Sequence, residues 1–159
     1  MANDASVTVQ ATVLPDEIAK TIGGSITVTP TDTDVANAKW YYKKTVVQTT
    51  AADLIAGTFL DYTAVDQDTA PTAIATGDKV KFLLVKNLSS ADGIMISLDG
   101  SNNEAAHGNT KGIHVGASET VCFRPNNTTV GEIHAIAADV LDAGDAAANC
   151  IVAALIEDA

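Results

Sequence analysis

The stretch Lys79–Gly100, KVKFLLVKNLSSADGIMISLDG, holds two apolar runs separated by the mostly polar NLSSAD. How the two runs relate decides the fold. VKFLLVKN starts as an alternation of Val80, Phe82 and Leu84, then adds Leu83 and Val85 on the opposite face. A strand that is apolar on both faces is covered on both, so this one is predicted to be central. GIMISLDG alternates more cleanly, which predicts Ile94, Ile96 and Leu98 inward and Met95, Ser97 and Asp99 outward. A six-residue connection suits a hairpin loop. The two runs therefore read as a hairpin at the centre of a β-sandwich, with LDGSNNE as its exposed exit.

The same period of two runs outward along the chain. SVTVQATVL (6–14) alternates Val7, Val9 and Ala11 with Thr8, Gln10 and Thr12 and stops at Pro15, which cannot donate to a sheet ladder. SITVTP (25–30) lies between the turn signals Gly23-Gly24 and Pro30 and reads as a strand. KWYYKKTVVQTT (39–50) puts Trp40, Tyr42 and Val46 on one face and Tyr41, Lys43 and Thr45 on the other, the pattern of a strand with one solvated face. ADLIAG (52–57) is too short for a helix and reads as a single turn before the strand TFLDYTAV. Further short runs follow in KGIHV, ETVCFRP, GEIHAIAA and NCIVAALIEDA. The last is Ala-rich, and its Ile151-Val152 pair favours a strand. The sum is an all-β chain, an antiparallel, jelly-roll-like β-sandwich of about nine or ten short strands with little helix. At 159 residues it is expected to form one domain, 1–159, with 1–15 a candidate N-terminal arm.

Composition narrows the function. Hydrophobic residues make up 47% of the chain but aromatics only 4%, so the core is built from small and β-branched side chains that each bury little area. Association with further copies or a partner would strengthen such a fold. Twenty acidic residues against nine basic ones give a formal charge of -11, and such a surface repels phosphate backbones. Direct nucleic-acid binding is not expected. The N-terminal MANDASVTVQ has no basic segment followed by an apolar one, so no secretory signal is expected. No apolar run approaches the ~18 residues of a membrane span. The reading is of a protein made in the cytoplasm, with Cys122 and Cys150 as buried free thiols rather than a disulfide.

The constellations that could carry chemistry are sparse. Asp99, Ser101 and Asn103 fill the first, third and fifth positions of a calcium loop. The pattern then fails, with Glu104 where the turn needs Gly and Thr110 where a bidentate Glu belongs. A polar turn is the better reading, and calcium chelation is expected to leave the melting temperature unchanged. His107, His114 and His134 lack metal spacing, although cross-strand pairing of a histidine with Glu132 or Glu119 stays open. Cys122 and His134 could form a nucleophile and base, but nothing marks Cys122 as an activated thiolate. Ile22-Gly23-Gly24-Ser25 precedes a strand and so lacks the context of a phosphate loop. Asn87-Leu88-Ser89 and Asn126-Asn127-Thr128 match the glycosylation pattern by Asn/Thr richness alone. Lys39, Lys43, Lys44, Lys79, Lys81 and Lys86 are the one basic concentration. If their two strands are neighbours they form a patch for an acidic partner, but strand lysines more often guard exposed edges or faces against wrong pairing. No catalytic, cofactor-binding or metal residue is assigned.

Several segments together resemble one kind of protein. TVLPDEIAKTIGGSITVTPTDTD, KWYYKKT with ADLIAGTFLDYTAVD, GDKVKFLLVKNLSSADGIMISLDG and GASETVCFRPNN are similar to small structural proteins of tailed bacteriophages, particularly from marine and cyanobacterial hosts. The order of VKN, a polar loop, IMISLDG, a second loop and IHVGASE resembles a β-sandwich core of phage virion proteins. The resemblance implies a structural protein without an enzymatic site. It implies most directly a head decoration or cement protein on the outer capsid surface, a symmetric homo-oligomer (a trimer among the candidates) gripping the major capsid protein. A neck, tail or fibre-associated protein is the alternative. A carbohydrate-binding module would instead need an aromatic platform, for which Trp40-Tyr41-Tyr42 is the sole candidate.

Overall fold

The computed structural model of the chain describes residues 5–13, 20–29, 38–58, 73–100, 112–137 and 146–157. Ten strands follow in order: β1 (Ala5–Val13), β2 (Lys20–Val28), β3 (Ala38–Val47), β4 (Ala52–Asp53), β5 (Lys79–Asn87), β6 (Ile94–Ser97), β7 (Ile113–Val115), β8 (Thr120–Phe123), β9 (His134–Ala137) and β10 (Ala148–Glu157). A 3-10 turn at Val130–Glu132 precedes β9. The expectation of an all-β chain with nine or ten strands and little helix holds. No helix among the described residues is long and apolar enough to cross a membrane.

The chain divides into two compact units, Met1–Thr33 and Asp34–Ala159. In the first, β1 and β2 form a two-stranded antiparallel sheet with Val7 opposite Ile26, Val9 opposite Gly24 and Ala11 opposite Ile22. Gly23 and Gly24 were expected to turn the chain ahead of a strand starting at Ser25. They lie inside β2 instead, because every residue from Lys20 to Val28 has a partner on β1, and that ladder overrides the local preference of glycine for turns.

The second unit is a sandwich of two four-stranded sheets, with orders β3-β10-β5-β8 and β4-β9-β6-β7. Four antiparallel rungs account for it: β3 with β10, β4 with β9, β5 with β8 and β6 with β7. The remaining pairings, β10 with β5 and β9 with β6, join the first rung to the third and the second to the fourth. This is one long hairpin of strand pairs rolled into two sheets, the jelly-roll connectivity.

The apolar runs of Lys79–Gly100 are therefore not a hairpin. β5 lies between β10 and β8 in one sheet and β6 between β9 and β7 in the other. A strand covered on both faces also needs a neighbour on each edge, and each run finds two long-range partners. Residues 88–93 carry the chain from sheet to sheet, a step of about 10 Å that six residues span easily. The prediction that the first run is central holds. Met95 and Ser97 do face away from the core, but both are buried, Met95 in a cluster with Ala51 and Ile136.

The main core lies between the sheets. β10 contributes Ala148, Cys150, Val152, Ala154 and Ile156, β5 contributes Val80, Leu83 and Val85, and β6 contributes Ile94 and Ile96. Alanines on β10 fit because this strand has a paired neighbour on each side and a packed layer below, which leaves little room for bulk. A register shift between Leu155 and Ile156 skips Lys81 on β5, a bulge that lets Val80 and Leu83 both turn inward. ADLIAG is not a single turn. Ala52 and Asp53 pair with Ala135 and His134 as the short edge strand β4, a pairing that no local pattern announces. GEIHAIAA likewise opens with the 3-10 turn, where the Glu132 carboxylate accepts the Thr129 N–H at 2.7 Å and its hydroxyl at 3.0 Å. These two bonds hold the Glu132 carboxyl below its ordinary range. TFLDYTAV lies outside the described residues beyond Thr58.

One buried group makes stability depend on alkaline pH. Cys150 is fully buried, and desolvation pushes its thiol from 9.0 up to about 11. Burial raises the nearby Tyr41 phenol as well. The fold thus holds the neutral thiol while the unfolded chain ionises from about pH 9. The thiol's contribution is complete below that value and disappears as pH rises toward 11. Unfolding in denaturant between pH 8 and pH 10.5 is expected to show a loss of about 2 kcal/mol from the thiol, and Cys150→Ala is expected to remove that part of the limb and leave the part due to Tyr41.

Candidate interaction surface

Six of the nine basic residues and one of the twenty acidic ones sit on β3, β5, β8 and β10. That sheet carries +5 and the rest of the chain -16. The other sheet, β4-β9-β6-β7, contains no Lys or Arg. β3 and β5 are not neighbours, since β10 lies between them, yet alternation still brings Lys44 of β3 and Lys86 of β5 to one face. The outer face of the sheet reads in cross-strand rows: Trp40, Leu155, Phe82; then Tyr42, Ala153, Leu84, Cys122; then Lys44, Ile151, Lys86, Thr120. Lys44 and Lys86 stand two strands apart, about 10 Å, on either side of Ile151.

The first row is anchored. Leu155 and Phe82 are buried, and Trp40 meets Phe82 edge to face with centroids 6.4 Å apart. Beyond it the face opens, with Tyr42 55% and Val46 49% exposed. Lys81, at the bulge, pairs with Glu157 at 2.5 Å, and both groups are exposed enough for the pair to add little stability. Lys43 is on the inward side of edge strand β3 and donates to the Ala56 carbonyl at 3.2 Å. The three aromatics of the candidate carbohydrate platform divide between two faces, as the alternation predicts. Tyr41 turns into the core and its hydroxyl donates to Ala56 O at 3.3 Å, so Trp40 and Tyr42 share a face that Tyr41 does not.

The remaining candidates separate. Cys122 faces outward in the Leu84 row, while Cys150 faces the core from the same sheet, so the two free thiols lie on opposite faces. His134 belongs to the other sheet, and Cys122 has no route to it as a nucleophile. His134 is buried, with Nε2 2.9 Å from Asp53 Oδ1 and Nδ1 lacking a partner. Its neighbour across β6 is Ser97, whose hydroxyl donates to the Asp99 carboxylate. Asp99 is thus engaged at its own turn. Ser101 to Thr110, with His107, lie outside the described residues. His114 is exposed on β7. Glu132 is held by Thr129 as above, and Glu119 accepts the Gly116 N–H at 2.9 Å. The carboxylate paired with His134 is Asp53, which the sequence did not single out because a two-residue strand leaves no periodic signal. Among the described residues no three His, Cys, Asp or Glu side chains converge as metal ligands.

Asn87 is the other residue missed as a determinant. It is fully buried, and its Nδ2 donates to Asp92 O at 2.8 Å, Gly116 O at 3.0 Å and Val115 O at 3.3 Å. Its Oδ1 accepts the Ser89 N–H at 2.9 Å. The amide ties β5 to the crossing loop and to β7 of the opposite sheet. A glycan could not be attached there without unfolding the site.

No protein-family model matches the chain, and no curated protein matches it. Among solved structures, it is similar to a chain of the cyanophage Pam1 capsid asymmetric unit, at 13% identity over 76% of this chain and 84% of that one, with a TM-score of 0.32. It is also similar to tobacco streak virus coat protein, at 12% identity over 76% and 85% of the two chains, with a TM-score of 0.36.

Proposed function

We propose that the chain is a non-enzymatic structural protein of a virion, a head decoration or cement protein whose lysine-bearing sheet docks on an acidic surface of the major capsid protein. The observation that carries this reading is the segregation of charge on a jelly roll, +5 on one sheet and -16 elsewhere. Jelly rolls serve in shells and in ligand-binding domains alike, so the connectivity alone does not choose. A sheet face on which Ile151 lies between Lys44 and Lys86, beside the row Tyr42, Ala153 and Leu84, suits a protein surface better than a small ligand. Its sign selects an acidic partner and steers the approach. The negative remainder keeps the decorated particle soluble and turned away from nucleic acid.

Two measurements test the reading. Immunogold labelling of virions is expected to place the chain over the head, and label confined to the tail would overturn the decoration reading in favour of the neck or tail. In a binding assay against the capsid shell, Lys44→Glu/Lys86→Glu is expected to weaken attachment on the order of tenfold to a hundredfold, because like charges then face each other. Attachment is also expected to fall as salt rises. Equal binding by the double variant would remove this face from the interface.

A further inference from the structure

The β1-β2 unit has two unlike faces. Val7, Val9 and Ala11 lie on one face opposite Ile26, Gly24 and Ile22, while Ser6, Thr8, Gln10 and Thr12 lie on the other opposite Thr27, Ser25, Gly23 and Thr21. The apolar face is exposed around Ile22 (63%) and Val9 (48%), while Val7 and Ile26 are half-buried and Val28 is buried. Two strands alone are marginal in water, and independent stability takes three or more strands or a covering layer. The exposed part of the face, around Val9 and Ile22, calls for a cover.

We infer that it pairs face to face with the same hairpin of a second copy, making a small four-stranded sandwich. Two observations select a copy of this chain over a different partner. First, the eighteen strand residues carry a single charge, Lys20. Two chains of charge -11 repel over most of their surface, and these ribbons are where identical copies meet with least repulsion. A foreign partner would be expected to meet a charged, steering face instead. Second, the relief is self-complementary. Val9 projects beside Gly24, and no atom lies within 4 Å of where a side chain at Gly24 would begin. About a two-fold axis, Val9 of each copy fills the gap over Gly24 of the other, flanked by Ile22 and Ile26.

Nine residues by two strands span about 30 by 10 Å, so a pair buries at most on the order of 600 Å². This is about half of what a standing interface needs. The contact is therefore weak between free chains and becomes strong only where copies are held side by side, as in any array that fixes their spacing. The inference does not depend on the virion reading.

Sedimentation velocity of the full chain tests it. The weight-average sedimentation coefficient is expected to rise with concentration, and Val9→Ser/Ile22→Ser is expected to weaken association at least tenfold. Gly24→Val favours the strand while closing the gap, and it is expected to weaken association as strongly without lowering the melting temperature of the sandwich. Thr8→Ala, on the hydroxyl face, is expected to leave association within twofold. A parent chain that stays monomeric to about 1 mM, or a Gly24→Val chain that associates like the parent, would overturn the inference.

Discussion

Replacing Asn87 by alanine is expected to destabilise the sandwich by about 3 kcal/mol, a fall of roughly 12 °C in melting temperature for a unit of this size. The alanine leaves three carbonyls, those of Asp92, Val115 and Gly116, and the Ser89 N–H without their partner. Water can reach some of these groups, since only the Val115 contact is wholly buried, which keeps the loss below the sum of four orphaned groups. Asn87→Asp separates hydrogen bonding from volume. It preserves size but turns a carboxylate oxygen toward three carbonyl oxygens, so it is expected to cost at least as much as alanine. Chemical denaturation of the three proteins decides, and a well-tolerated aspartate would sink the hydrogen-bond account.

Ile96→Ala is expected to cost about 3–4 kcal/mol and Ile96→Val about 1 kcal/mol. Ile96 is fully buried on β6, between Ala135 of β9 and Ile113 of β7. Both neighbouring backbones are fixed by their ladders, and Ala135 is too small to lean into the space. The cavity thus stays open. An isoleucine whose surroundings collapsed would show a smaller gap between the two variants, so the difference in their unfolding midpoints measures how rigid the centre of the second sheet is. Leu88→Ala, at an exposed position of the crossing loop, serves as the reference and is expected to change stability by less than about 0.5 kcal/mol.

Strand character was legible wherever a run was long enough to show its period. Val80 to Val85 announced an interior strand through two apolar faces, and Ile151-Val152 marked the Ala-rich β10 as strand. Partnering was not legible. The polar NLSSAD loop is compatible with a hairpin and with a crossing between sheets, and only the claim of β10 and β8 on the edges of β5 excludes the first. The lysines were visible as a cluster in composition, but the common face of Lys44 and Lys86 depended on β10 entering between β3 and β5. Asp53 beside His134 and the four bonds of Asn87 come from distant strands meeting, and such meetings leave no mark in local order. The error at Gly23-Gly24 has the same origin, for a glycine's turn preference yields once a facing strand supplies its hydrogen bonds.

The place of β10 has a consequence for how the protein is made. Ala38–Val47 and Lys79–Asn87 both pair with a strand that is translated last among the ten. At about 5–20 residues per second, the roughly 110 residues between β3 and β10 take on the order of 5–20 s to leave the ribosome. Throughout that interval neither strand has its principal partner, and the first sheet cannot close. Unpaired strands are the segments most prone to wrong association, and these two carry six lysines while β6, β7, β8 and β9 carry none. The positive charge thus lies on the two strands that wait for β10, where it keeps nascent chains apart until the final strand arrives.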